Sequence, residues 1–237
     1  MRSNLARYSI WQIRDFVRDR GLALLLVGFL IGFTVVGPVK AMGRPIDAQM
    51  GKTLLNAVVS QVAFILALIA LNGIISTDRK HGYYRFLFSK PISIPSYYAQ
   101  RFVVYFVGFV ACCALLIGGF AVFAHPVSPL APLAFCALVF LSFGGISFLI
   151  SSLFRSDWLI LVAVFLVSVI LNSLWQDREG WRRMVLAILP PLTRLPGTLT
   201  DMVNTGSVNT QDLLWLLGYS AICFAAGLFV LRRRPFA

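Results

Sequence analysis

The sequence predicts an all-α integral membrane protein with six membrane-spanning helices, on the basis of its composition and the spacing of its charged residues. Of the 237 residues, 59% are hydrophobic and 13% are charged, and the mean hydropathy is +0.82. These values are too apolar for an ordinary soluble domain. Runs free of Asp, Glu, Lys and Arg cover 21–39, 53–77, 102–154, 158–176 and 213–231. Because one span needs about 20 residues, the run 102–154 predicts two helices, and the five runs together predict six.

Residues 2–20 precede the first apolar run and predict an amphipathic helix that lies in the cytoplasmic membrane interface. In helical projection the apolar and cationic side chains occupy different arcs, which is the pattern of helices that lie on a membrane surface. An ordinary juxtamembrane anchor is the alternative. The apolar arc contains Leu5, Ala6, Ile10, Ile13, Phe16 and Val17, and the cationic arc contains Arg7, Arg14 and Arg18.

The whole chain, 1–237, is predicted to form one transmembrane domain. Its first span contains Gly28-x-x-x-Gly32, a spacing that lets helix backbones approach closely. Residues 125–129 include two prolines and predict the turn between the third and fourth spans. The predicted spans are at about 21–39, 54–76, 95–124, 130–153, 158–175 and 213–231.

The second span carries a polar stripe, because Asn56, Ser60 and Gln61 interrupt its apolar residues. Side chains of this kind either line a substrate path or form hydrogen bonds with neighbouring helices. The sequence leaves both interpretations open.

A charged and aromatic segment, residues 76–101, separates the second and third spans. Its first part predicts a short helix that runs from an N-cap at Asp78 to Lys90. This helix has an aromatic face and a cationic face, so we expect it to lie flat on the membrane. Pro91 ends it, because proline has no backbone N–H and restricts the residue before it.

The last part of the same segment predicts the start of the third span. Ser93 is the expected N-cap, and Pro95 falls in the first helical turn, where its missing N–H costs nothing. Tyr97, Tyr98 and Arg101 follow, and we expect them at the depth of the membrane interface.

A long segment, 177–212, lies between the fifth and sixth spans. Its residues 181–189 are mainly apolar but are broken by two arginines and followed by Pro190-Pro191, which indicates a re-entrant or interfacial piece. Residues 196–209 are rich in Gly, Thr and Asn and predict an exposed loop.

The distribution of basic residues predicts the orientation in the membrane. If the N-terminus is cytoplasmic, fourteen of the 21 lysine and arginine residues lie on that side, as the positive-inside rule requires. Both termini and the segment 76–101 are therefore predicted to be cytoplasmic. The same rule and anionic lipid headgroups explain the net charge of +12, so we predict no nucleic-acid partner.

The residues that catalysis inside a membrane requires are sparse. His81 and His125 are predicted on opposite sides of the membrane, and Glu179 is the single glutamate. Gly51-Lys52-Thr53 resembles the end of a phosphate-binding loop, but Ile46 stands where that motif requires glycine. We therefore predict no enzyme activity, metal site or cofactor in this chain. The cysteines are expected to be small apolar residues of the spans, at Cys112, Cys113, Cys136 and Cys223.

The segment after the second span carries a family resemblance. The pattern Asp78-x-x-x-Gly82, then Arg85-x-Leu87-Phe88-Ser89-x-Pro91-x-Ser93 and Arg101 resembles the corresponding segment in permease subunits of ABC-2 type transporters. The usual form there is an acidic residue, then Gly-Thr and an acidic position, then Leu-Leu-Ser-x-Pro-x-Ser-Arg. This chain departs from that form at Tyr83, Arg85 and Ile94, which replace the threonine, the acidic residue and the arginine.

The resemblance implies a transmembrane permease subunit of an ATP-driven transporter, with export as the family tendency. It implies a coupling segment, 78–93, that docks on a separate ATPase subunit, and that partner would bind the ATP and Mg. The other implied partners are a second permease copy or a paralogue, and the lipids of a prokaryotic cell inner membrane. Family members also have an N-terminal elbow helix and short helices in the outer segment. The residues expected in the coupling site are Asp78, Arg79, Lys80, Gly82, Tyr83, Tyr84, Arg85, Phe86 and Phe88.

Two other functions are compatible with the sequence. A membrane scaffold or anchor subunit that transports nothing would have the same spans, and its docking partner would lack ATPase signatures. An intramembrane enzyme that uses loop residues would show turnover as a purified single chain.

Overall fold

A computed structural model describes residues 2–43, 47–82, 93–124, 128–154, 157–175, 195–204 and 208–233, which are helical with connecting turns and contain no strand. A π-helical turn, Val17–Gly21, follows the first helix. The α-helices are α1 Arg2–Phe16, α2 Leu22–Ala41, α3 Ala48–Leu71, α4 Ser76–His81, α5 Ile94–Phe123, α6 Leu130–Leu153, α7 Asp157–Trp175, α8 Leu195–Asn204 and α9 Thr210–Arg233.

Five helical stretches among the described residues are long and apolar enough to cross a membrane, which confirms the prediction of an all-α, multi-pass membrane protein. The predicted fifth span corresponds to α7, whose apolar part, Leu159–Trp175, is shorter than these five. The five stretches are Tyr8–Ala41, Gln49–Asp78, Ile94–Phe123, Leu130–Leu153 and Thr210–Arg233.

The predicted spans 95–124 and 130–153 agree with α5 and α6 to within one residue at each end. The predicted second span, 54–76, lies within the membrane-length stretch Gln49–Asp78. This stretch is not one regular helix, because α3 stops at Leu71 and residues 72–75 form a turn. Gly73 in this turn has a φ of 76°. A glycine in the left-handed region commonly ends a helix, and hydrophobicity alone does not reveal that.

The predicted amphipathic helix 2–20 corresponds to α1 and the π turn, which continue into α2 without a break. The π turn keeps the right-handed helical backbone, with φ −57° and ψ −50° at Phe16 and φ −63° and ψ −43° at Leu22. The predicted apolar arc is mostly exposed, and its position in a membrane interface stays a prediction. Ile10 and Ile13 are exposed, whereas Gln12 and Phe16 are buried, because the helix packs through the 12–16 face.

The described contacts divide the chain into two compact units, each of which we describe separately. The first comprises Met1–Ala70, Arg101–Phe140 and Gly197–Val208, and the second comprises Leu71–Gln100, Leu141–Pro196 and Asn209–Ala237.

Unit one is built on aromatic contacts between α1, α5 and α6. The Phe109 and Phe140 ring centroids are 5.0 Å apart. A Cβ placed on Gly108 would lie 2.6 Å from the Cδ1 atom of Phe16, so only glycine lets α1 approach α5 this closely. Arg20 donates to the carbonyl oxygen of Ile69 at 2.9 Å, which satisfies one of the open carbonyl groups at the end of α3.

Unit two is organised by the close packing of α6 on α9. Gly145 meets the backbone of Ser220, and a Cβ there would lie 2.7 Å from the Ser220 carbonyl carbon. The Ser220 hydroxyl donates to the carbonyl oxygen of Leu141. One end of this contact is closed by Phe148 and Phe224, whose ring centroids are 4.6 Å apart. Small residues therefore allow two membrane helices to pack backbone against backbone.

The exposed loop predicted at 196–209 is wrong over most of its length, because Leu195–Asn204 is helix α8. Leu195, Thr198 and Leu199 are 0%, 3% and 3% exposed. Their spacing places them on one helical face, and the burial of that face outweighs the weak helix propensity of Gly and Thr. The re-entrant piece predicted near 181–189 lies outside the described residues.

Candidate coupling site

A buried hydrogen bond joins the first residue of the coupling segment, 78–93, to the helix that follows the segment. The Tyr98 hydroxyl on α5 donates to a carboxylate oxygen of Asp78 on α4 at 3.2 Å. Asp78 is 6% exposed and Tyr98 is 0% exposed. The two residues are 20 positions apart, so the bond closes the intervening chain into a loop with a pinned base. We call this pair, together with Ser151, the Asp78 anchor.

Ser151 completes the Asp78 anchor from helix α6. Its hydroxyl oxygen accepts hydrogen bonds from the backbone N–H groups of Ile75 and Ser76, both at 3.2 Å. The first N–H groups of a helix have no partner within the helix, so a side chain from a distant helix caps α4. All three residues are buried, which makes this contact part of the fold.

The predicted role of Asp78 as an N-cap is therefore wrong. Helix α4 begins at Ser76, which places Asp78 inside its first turn, where a carboxylate favours the positive end of the helix dipole. Because Asp78 is buried and hydrogen-bonded to Tyr98, it positions the start of the segment.

The predicted continuous helix from Asp78 to Lys90 is also wrong. Helix α4 ends at His81, and Gly82 follows with a φ of 69°. This left-handed conformation ends a right-handed helix and is tolerated best by glycine. Helix α4 therefore cannot continue beyond Gly82.

The structure locates only part of the predicted coupling residues. Lys80 is exposed, as a residue of a docking surface must be, and the backbone of Arg79 is helical. The side chain of Arg79 and the remaining predicted residues lie outside the described part of the chain, namely Tyr83, Tyr84, Arg85, Phe86 and Phe88.

The predicted start of the third span is confirmed in position. Ser93 immediately precedes α5, Pro95 lies in its first turn, and the Tyr97 N–H donates to the Ser93 carbonyl oxygen at 3.1 Å. Tyr97 and Tyr98 are packed edge to face, with ring centroids 5.2 Å apart. Both are buried, so they contribute to the interior of unit two.

Arg101 forms a second buried group, in unit one, that we call the Arg101 cluster: Asp15, Phe16, Arg101 and Tyr105. The guanidinium donates to the Tyr105 hydroxyl oxygen from Nη2 at 3.1 Å and from Nε at 3.3 Å. Nη2 also lies 3.6 Å from a carboxylate oxygen of Asp15. The Phe16 ring packs edge to face on Tyr105, at 5.1 Å between centroids. Because Arg101 is 5% exposed, these contacts hold α5 against α1.

The residues of the predicted substrate path differ in their contacts. The Ser60 hydroxyl donates to the carbonyl oxygen of Ala57 at 3.1 Å, within its own helix. The Oδ1 atom of Asn56 is buried and has no hydrogen-bond partner, so Asn56 has an unused acceptor. The side chain of Gln61 lies outside the described residues.

Sequence reasoning missed the contacts that join distant parts of the chain. The Ser151 contacts span 76 and 75 positions, so no local pattern indicates them. A signal exists for Cys113 and Cys136, whose side chains are close enough for a hydrogen bond. Cys113 lies one helical turn after Phe109, and Cys136 lies one helical turn before Phe140. The two rings are in contact, so the antiparallel helices bring the two thiols together.

The contacts described in this region position the coupling segment and the helices next to it. Buried hydrogen bonds fix the entry to the coupling segment and the exit from it, and they rigidify the helices to which they belong. The described residues contain no group of three or more His, Cys, Asp or Glu side chains that would hold a metal ion.

Comparison of the chain with protein-family models gives no match, and comparisons with curated proteins and with solved structures give none either.

Proposed function

We propose that this chain is the transmembrane permease subunit of an ATP-driven transporter of the ABC-2 type. In this proposal α7 is the fifth of six spans, both termini are cytoplasmic, and the membrane is the inner membrane of a prokaryotic cell. Two permease chains act with two ATPase subunits, and ATP and Mg are bound by the ATPase subunits. Export is the expected direction.

The observation that supports this proposal most is the hydrogen bond between Asp78 and Tyr98, which joins the two sides of the coupling segment. The segment with the ABC-2 resemblance follows one helix of membrane-crossing length and precedes another. Asp78, at the start of the segment, accepts a hydrogen bond from Tyr98, which follows the end of the segment. Because this bond joins the two flanking helices, a force on the segment would reach the chain on both sides of it.

The mechanism then follows from the two classes of residue in the segment. Lys80 and Arg85 would set the electrostatic register with the ATPase subunit, and Tyr83, Tyr84 and Phe86 would supply buried contact area. Closure of the ATPase pair on ATP would push the segment. Rigid helices with two stable packings would convert that push into alternating access on the two sides of the membrane.

We expect Arg85→Glu to weaken docking and the stimulation of ATP hydrolysis by about tenfold or more, because an arginine that is a binding hot spot contributes about 2 kcal/mol or more, where about 1.4 kcal/mol is tenfold. The measurement is the amount of ATPase subunit retained on the purified chain, together with its rate of ATP hydrolysis.

Arg232→Glu provides the matched control for this charge reversal. Arg232 is exposed at the end of α9, on the same proposed side of the membrane, and lies outside the coupling segment. It should leave retention and hydrolysis unchanged. Equal behaviour of the two variants would remove Arg85 from the docking surface.

A further inference from the structure

Unit one contains an apolar groove of about 300 Å³ that the proposed transport function does not use. Helices α2, α3, α5 and α6 form its walls, which consist almost entirely of aliphatic and aromatic side chains and glycines. Lys40, at the end of α2, is the one lysine or arginine among its described lining residues. The groove therefore has an apolar body and a cationic end.

The groove opens sideways, toward the surroundings of the helices. Phe29 and Phe33 on one rim are 57% and 64% exposed, and Leu115 and Phe123 on the other are 65% and 62% exposed. In a membrane these exposed apolar rims face lipid. Water is poorly stabilised in such a groove, because a buried water molecule needs hydrogen bonds to two to four polar partners. Lipid tails are its natural occupants.

The length of the groove matches one leaflet of a bilayer. It extends along α2 from Gly28 to Lys40, and at 1.5 Å per residue this is about 18 Å. The hydrocarbon core of a membrane is about 30 Å thick, so one leaflet is about 15 Å. A tail that enters from the Lys40 end would reach the middle of the membrane.

Two glycines keep the groove open. A Cβ placed on Gly32 or on Gly119 would meet no atom within 4 Å, and both residues line the groove. Gly28 differs, because a Cβ there would lie 3.1 Å from a methyl carbon of Leu116. Gly28 thus serves helix packing, whereas Gly32 and Gly119 border open space.

We propose that this groove binds one acyl chain of an anionic phospholipid, with the phosphate group paired to the ammonium of Lys40. Apolar burial does not favour one lipid over another, because the bilayer is as apolar as the groove. The charge at Lys40 therefore supplies the selection. This inference concerns lipid binding and stands independently of ATP-driven transport.

The test uses the purified full chain, exchanged into vesicles of equal parts phosphatidylglycerol and phosphatidylcholine and then examined by native mass spectrometry. We expect the wild-type chain to retain phosphatidylglycerol over phosphatidylcholine. Lys40→Gln should reduce that preference about fivefold, the effect of about one basic residue near an anionic lipid surface. Gly119→Leu should abolish retention, because leucine fills the groove.

The chain offers matched controls for both variants. Gly118 is exposed on the same helix and does not line the groove, and a Cβ placed on it would meet no atom within 4 Å, so Gly118→Leu should retain lipid. Lys52 is exposed on α3 and does not line the groove, so Lys52→Gln should keep the wild-type preference.

Four results would overturn the proposal. The first is equal retention of the two lipids by the wild-type chain. The second is unchanged lipid retention by Gly119→Leu or an unchanged lipid preference in Lys40→Gln. The third is a fall from dimer to monomer mass in Gly119→Leu, which would identify a second copy of the chain as the occupant. The fourth is displacement of the lipid by glycerol phosphate, the headgroup without tails, which would contradict binding through the acyl chain.

Discussion

Gly145→Ala is expected to destabilise the protein by about 3 kcal/mol or more. Overpacking a helix contact usually costs about 1–3 kcal/mol when side chains can shift. Here the new methyl group would meet the backbone of Ser220, with the carbonyl carbon 2.7 Å away. A backbone cannot rotate aside as a side chain does, so α6 and α9 must separate. The separation would also break the hydrogen bond from the Ser220 hydroxyl to Leu141. The free energy of unfolding in mixed detergent micelles measures this loss.

Gly218→Ala on α9 is the matched control. A Cβ on Gly218 would meet no atom within 4 Å, and the residue is exposed. Alanine is favoured over glycine inside a helix by about 0.5–1 kcal/mol, so this variant should be as stable as the wild type or slightly more stable. Equal stability of Gly145→Ala and Gly218→Ala would show that α6 and α9 do not pack as described.

Arg101→Met is expected to cost about 2–4 kcal/mol of stability. Methionine keeps much of the apolar stem but removes the guanidinium, so the buried Tyr105 hydroxyl loses both donors. A buried polar group without its hydrogen bond costs about 1–3 kcal/mol. The ion pair with Asp15 adds about 1 kcal/mol at most, because the Asp15 side chain is 48% exposed and water screens it.

Two further variants separate these contributions. Asp15→Asn should cost less than about 1 kcal/mol, since it removes only the half-exposed ion pair. Adding Tyr105→Phe to Arg101→Met should recover about 1 kcal/mol, because the orphaned hydroxyl is then absent. If Asp15→Asn proved as damaging as Arg101→Met, the ion pair and not the Tyr105 hydrogen bond would hold the Arg101 cluster together.

Long apolar runs were sufficient to predict the main helices. Every backbone N–H and C=O group in lipid must have a hydrogen-bond partner within the protein, so an uncharged run of span length leaves few alternatives to a helix. The ends were harder to predict. The break after Leu71 depends on Gly73, whose φ is 76°. Helix α8 depends on the burial of Leu195 and Leu199, and composition gives no information on that partner surface.

The contacts at the start of the coupling segment were only partly predictable from the sequence. The structure changes the expected role of Asp78 from an N-cap to a buried anchor, and docking at this segment stays a prediction. Its partner Tyr98 is 20 positions away, and the cap from Ser151 joins residues 75 and 76 positions apart. The prediction of a docking face relied on local amphipathicity, which cannot reveal that tertiary contacts bury Asp78.

The proposed function requires that this chain works with a separate ATPase. The most direct measurement is to purify the chain in mild detergent from its native membrane, identify the proteins that accompany it in stoichiometric amount, and assay ATP hydrolysis by the complex. We expect an accompanying ATPase subunit that is lost when Tyr83, Tyr84 and Arg85 are replaced together. Recovery of the chain alone, or with a partner that binds no nucleotide, would contradict the proposed function and would support a scaffold that anchors its partner to the membrane.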